Sequence, residues 1–87
     1  MLIGPYCVLR SADHVFSDPS RPIREQGHAG GPIVIEDDCW LASHVVVTQG
    51  VTIGRGSVIG AHSVVTKDIP PYSIAVGVPA RVSGKRG

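Results

Sequence analysis

Four histidines carry most of the chemistry open to this 87-residue chain. Histidine is the side chain best suited to moving protons near neutral pH, so His14, His28, His44 and His62 are each a candidate general base. His14 stands where a regular pattern gives way to an irregular stretch. His28 falls inside that stretch and either lines a site or faces water. His44 and His62 are 18 residues apart. Zinc needs three or four converging ligands, and the spacing of these histidines supplies no such set, so no metal is expected. Cys7 and Cys39 are 32 residues apart without a CxxC spacing, which reads as two buried free thiols rather than a disulfide. Lys67 and Arg81, taken alone, read as solvated surface.

The stretch that must position these residues runs from Ile35 to Pro70. In sixes it reads Ile35-Glu-Asp-Asp-Cys-Trp, Leu41-Ala-Ser-His-Val-Val, Val47-Thr-Gln-Gly-Val-Thr, Ile53-Gly-Arg-Gly-Ser-Val, Ile59-Gly-Ala-His-Ser-Val and Val65-Thr-Lys-Asp-Ile-Pro. Every sixth residue is Ile, Leu or Val, and the next is mostly small (Ala42, Gly54, Gly60). The fifth position is small or β-branched, as at Cys39, Val45, Val51, Ser57 and Ser63. A period of six fits neither a helix nor a hairpin series. It fits a short strand, a corner and a repeat, with three sixes closing one triangular turn. Turns then stack at about 4.8 Å, with the aliphatic position pointing inward as a ladder. The expected fold is all-β, a parallel β-helix, in which His44 and His62 stack at one corner.

Ile3-Gly-Pro-Tyr-Cys-Val and Leu9-Arg-Ser-Ala-Asp-His keep this register before it fails. Residues 15–31 read as one protruding loop, rich in Pro, Arg, Glu and His rather than Gly/Ser filler, and a loop of that kind favours function. Pro32-Ile33-Val34 re-enters the stack. Beyond Pro70-Pro71, residues 72–87 read as a strand and turn that close the stack, with a frayed tail from Ser83. The first coil begins almost at Met1 with nothing in front of it, so either a longer chain or another copy is expected to cover its unpaired backbone.

Length and charge bound the rest. The chain reads as a single domain over 1–87, and chains this short bury only about 60% of their unfolded surface, so partners often complete them. A net charge of +1 offers no electrostatic case for nucleic acid. The opening residues are too short and interrupted for a signal peptide or a membrane span, so a cytoplasmic location is the default.

These motifs together resemble the hexapeptide acyltransferases, and most of all their sugar O-acetyltransferase branch, which includes galactoside, maltose and capsule-polysaccharide acetyltransferases. The resemblance rests on Asp13-His14-Val-Phe-Ser-Asp-Pro, on Ile33-Val-Ile-Glu-Asp-Asp-Cys-Trp40-Leu-Ala-Ser-His, on Gly60-Ala-His-Ser-Val-Val-Thr-Lys-Asp-Ile-Pro and on Gly77-Val-Pro-Ala-Arg81-Val. It covers nearly the whole chain but only the C-terminal half of a usual member. It implies a left-handed coil, which the residues alone do not give, since parallel crossovers are ordinarily right-handed. It also implies acetyl-CoA as donor, and a homotrimer whose active sites lie between neighbouring subunits. A dimer of trimers through the open N-terminal end is the larger assembly that would cover it.

By the same resemblance His14 matches the catalytic base. Ser43 and Ala61 match contacts to the coenzyme, with the Ser43 N–H a donor to the developing oxyanion. Thr66, Lys67 and Arg81 match contacts to its nucleotide end, where a phosphate asks for fixed donors and positive charge. Trp40 matches a tryptophan that flanks the active site, near the acceptor or the thioester; packing at an interface is the other reading, and the two are compatible. The expected activity is acetyl transfer from acetyl-CoA to a hydroxyl of a sugar or similar small molecule. Usual members carry further coils that supply acceptor-binding groups, so the alternative is a non-catalytic truncated β-helix trimer.

Overall fold

Outside one protruding ribbon and the C-terminal hairpin, each strand is two residues long, because a corner arrives every six residues. The computed structural model describes residues 1–14, 19–20, 22 and 28–86. The first coil contains β1 (Leu2–Ile3), β2 (Val8–Leu9) and, after a ribbon of β3 (Ala12–His14) and β4 (His28–Gly30), β5 (Val34–Ile35). The second contains β6 (Trp40–Leu41), β7 (Val46–Val47) and β8 (Thr52–Ile53). The third contains β9 (Val58–Ile59) and β10 (Val64–Val65), and the chain then ends in β11 (Ser73–Gly77) and β12 (Ala80–Lys85).

Three parallel faces result. Face 1 is ordered β1-β6-β9-β11-β12, face 2 is β2-β7-β10, and face 3 pairs β5 with β8 and then bridges Ile53 to Ile69. In each pair the first residue points out and the second in. Leu41, Val47, Ile53, Ile59 and Val65 are fully buried, while Trp40 is half exposed. Burying each of these aliphatic side chains contributes roughly 1.5–3 kcal/mol. The fifth-position residues Cys39, Val45, Val51, Ser57 and Ser63 are buried too, as the small-or-branched pattern requires. The buried hydroxyls are paired: Ser57 Oγ donates to the Pro70 carbonyl at 3.0 Å, and Ser63 Oγ accepts from the Gly77 N–H at 3.1 Å. Cys7 and Cys39 are free thiols.

The corners require the left-handed backbone region. Asp38, His44, His62 and Tyr72 have φ of 60°, 59°, 61° and 57°, and Gly56 has 70°. Asp and His tolerate this region better than most residues. At Gly56 a glycine is needed twice over, since an added Cβ would lie 2.4 Å from the Tyr72 ring.

Three sequence expectations are corrected. First, the last turn is two residues short: Ile53 partners Ile69, and Ile59 partners Ala75, where an 18-residue turn would bring Pro71 opposite Ile53. Proline has no N–H to give a ladder, so the chain tightens until Ile69 can donate to the Thr52 carbonyl at 2.9 Å. Second, the tail does not fray. β12 runs antiparallel to β11 as far as Lys85, and the Arg86 N–H donates to the Tyr72 carbonyl at 2.7 Å. Third, the irregular stretch is entered earlier than Val15. Its base is an antiparallel ribbon pairing Ala12 with Gly30 and His14 with His28. Most of the expected loop over 15–31 lies outside the described residues, as does Gly87. Val34–Ile35 does re-enter the stack, on β8.

Candidate active site

The site residues inherit their places from the three corners and faces. The corner between faces 1 and 2 carries Ser43 and Ala61 on successive coils, and the Ser43 carbonyl accepts the His62 N–H at 3.0 Å. Beside them the rings of Tyr6, His44 and His62 form a column, with centroids 4.9 and 4.7 Å apart and planes within 25°. The stacking of His44 on His62 follows from their 18-residue spacing. Tyr6 joins them because it holds the same place in Ile3-Gly-Pro-Tyr as His44 holds in Leu41-Ala-Ser-His, a signal available in the sequence and not used there. These rings are committed to one another along an exposed corner. The small residues next to them keep the surface low: a Cβ on Gly4 would press on the Ser43 amide nitrogen at 2.9 Å.

Arg81 belongs to this same corner. Along face 1 the register aligns Leu41 with Ile59 and Ile59 with Ala75, so the next row runs Ala42, Gly60, Val76 and Arg81. The Val76 side chain lies over Gly60, where an added Cβ would be 2.6 Å from its Cγ1. Arg81 therefore stands two strands beyond Gly60, one residue from the row of Ser43 and Ala61, and is exposed.

Thr66 and Lys67 lie elsewhere. They occupy the corner between faces 2 and 3, exposed, below Thr48 and Arg10. This column is held by the Arg10 N–H on the Val47 carbonyl at 2.9 Å and the Thr48 N–H on the Val65 carbonyl at 3.0 Å. The ribbon of β3 and β4 leaves from this corner, where the Gly31 N–H donates to the Ser11 carbonyl at 3.0 Å. His14 and His28 are backbone partners on that ribbon. Trp40 is on face 1, 51% exposed between Leu2 and Val58. It lines a pocket of about 280 Å³ with Val58, Leu2 and the Asp38–Arg86 pair.

Within one chain, then, the candidate base leaves one edge of face 2 while Ser43, Ala61 and Arg81 follow the other. Between them stand the outward side chains Val8, Val46 and Val64. A single copy does not gather the set. Among the described residues no three His, Cys, Asp or Glu side chains converge as a metal site, and no helix is long and apolar enough to cross a membrane.

Comparison with known proteins agrees with this architecture. Residues 32–67 match the family model described as bacterial transferase hexapeptide (six repeats). The galactoside O-acetyltransferase of Escherichia coli is 63% identical over 83 residues, covering 94% of this chain and 39% of that protein. A solved galactoside acetyltransferase in complex with coenzyme A superposes with a TM-score of 0.88 at 45% identity, covering 99% of this chain and 42% of that one. A hexapeptide-repeat acetyltransferase of Vibrio cholerae, solved with acetyl coenzyme A, gives 0.86 at 42% identity over 97% of this chain and 45% of that one. The chain thus spans less than half the length of each of these proteins. Over that length the likeness is to sequence and fold alike, including the left-handed sense of the coil. The chain carries the bacterial transferase hexapeptide repeat and is similar, over nearly its whole length, to part of the hexapeptide-repeat acetyltransferases.

Proposed function

We propose that the chain carries the coenzyme-binding part of an acetyl-CoA-dependent O-acetyltransferase. One observation carries the reading: the candidate residues divide between the two edges of face 2, as they must if each site is completed by a neighbouring copy. In a homotrimer, the corner of Ser43, Ala61 and Arg81 on one copy would meet the ribbon of His14 on the next. The low rim at Ser43 and Ala61 suits a pantetheine arm, whose amides need backbone partners at close range. Arg81 and the Thr66–Lys67 corner suit the phosphates of the nucleotide end. Free thiols at Cys7 and Cys39 fit a reducing, cytoplasmic setting.

In the reaction His14 takes the proton of an acceptor hydroxyl, and the oxygen attacks the thioester carbonyl. The Ser43 N–H donates to the oxyanion that forms. Collapse of the tetrahedral intermediate breaks the carbon–sulfur bond, and the departing thiolate receives the proton held by His14. A sugar or a similar small polyhydroxyl compound is the acceptor class, with Trp40 offering a flat apolar plate beside it.

Calorimetric titration with acetyl-CoA tests the coenzyme half of this reading. The native chain should bind, and Lys67→Ala or Arg81→Ala should each weaken binding about tenfold, the usual effect of losing a hydrogen bond to a charged group. Trimers that leave acetyl-CoA unbound would instead support a non-catalytic β-helix assembly.

A further inference from the structure

The C-terminal hairpin is anchored from its far end. Lys85 Nζ donates to Ser73 Oγ at 3.3 Å, and that buried hydroxyl donates in turn to the Pro70 carbonyl at 2.7 Å. The Arg86 N–H holds the Tyr72 carbonyl, while its Nη1 donates to the Gly56 carbonyl at 2.8 Å and lies 3.7 Å from Asp38 Oδ2. All of these partners belong to the corner between faces 3 and 1. Arg81 is at the opposite edge of face 1, at the other end of the same strand.

Between the two ends the register slips by one residue. Ile74 pairs with Gly84 but Ala75 pairs with Val82, which leaves Ser83 as a bulge whose hydroxyl donates to the Ile74 carbonyl at 3.3 Å. A one-residue slip exchanges the two faces of a strand, and bulges re-aim the side chains that follow them. Where Arg81 falls is therefore set by where β12 is pinned and by this single bulge. β12 is otherwise an edge strand, joined to the rest of the sheet only through β11.

We propose that Arg86, with Lys85, is a positioning residue for Arg81. The pair latches the end of β12 across the stack and so fixes the register that brings Arg81 beside Val76, in line with Gly60. The inference rests on the coenzyme-binding reading above, and it assigns a binding consequence to two residues that this reading does not place against the coenzyme.

A double-mutant cycle tests it. Acetyl-CoA affinity is measured by calorimetry for the native chain, Arg86→Ala, Arg81→Ala and the double variant, with thermal melting followed in parallel. Arg86→Ala should weaken binding about fivefold, in keeping with a partly exposed charged contact, and should add nothing once Arg81 is already alanine. A merely structural role would weaken binding equally in both backgrounds, and that result overturns the proposal, as does unchanged binding in Arg86→Ala. Should Arg86→Ala fail to fold, Lys85→Ala removes only the contact with Ser73 and must show the same dependence on Arg81. A native chain that binds no acetyl-CoA would refute the coenzyme reading itself, and this inference with it.

Discussion

Ala61 and Ser43 are candidates through the resemblance, and both are small at a corner, a property that tight corners also favour for steric reasons alone. The two explanations separate on substitution. Ala61 is exposed, so Ala61→Phe should leave stability within about 0.5 kcal/mol of the native value. If the corner carries the pantetheine arm, the same change should abolish detectable acetyl-CoA binding in a calorimeter. Unaltered binding would return Ala61 to the role of a corner residue. His44 and His62 differ from His14 in that their rings stack on each other, which gives both a structural occupation before any chemical one.

The short strands depend on corners, and the corners depend on a few residues that accept positive φ. Gly56→Ala should cost about 1–3 kcal/mol, since the new methyl meets the Tyr72 ring in a backbone region that L-residues avoid. Thermal or urea melts would register that loss, and an unchanged midpoint would contradict the packing described here. The six regular hexads were legible from sequence because each repeats the same inward aliphatic position, and burial then follows the period. The compressed last turn was not, because Ile69 is at a fifth position, inward like the others, and only the absence of N–H groups on Pro70 and Pro71 brings it opposite Ile53. The ribbon strand His28–Gly30 was hidden for a different reason: His-Ala-Gly has neither alternation nor strand propensity, and its pairing is made by a distant partner. The C-terminal arm looked frayed because Ser83-Gly-Lys-Arg lacks apolar residues, whereas it is held by backbone and charged contacts that leave no hydrophobic trace. Of the candidate site, the corner positions of Ser43, Ala61 and His62 followed from the period. The roles given to His14, Trp40, Ser43, Ala61, Thr66, Lys67 and Arg81 came from resemblance, since a period places a residue without saying what it binds.

At the scale of the whole molecule, the outward positions decide how copies meet. Leu2 and Trp40 on face 1, Val8 on face 2 and Val34 on face 3 are exposed apolar side chains on flat parallel faces. Side chains of this kind in rows favour association. The resemblance implies three copies, so light scattering at micromolar concentration should give the mass of a trimer, and a stable monomer would contradict the shared-site account. The most direct test of the central claim is release of free thiol from acetyl-CoA across a panel of galactosides, maltosides and other small hydroxyl acceptors, with His14→Ala as the control. The account predicts acceptor-dependent release that falls at least about a hundredfold in the variant, as expected for loss of a general base. Release from no acceptor while trimers remain intact, or release that persists undiminished in His14→Ala, would contradict it.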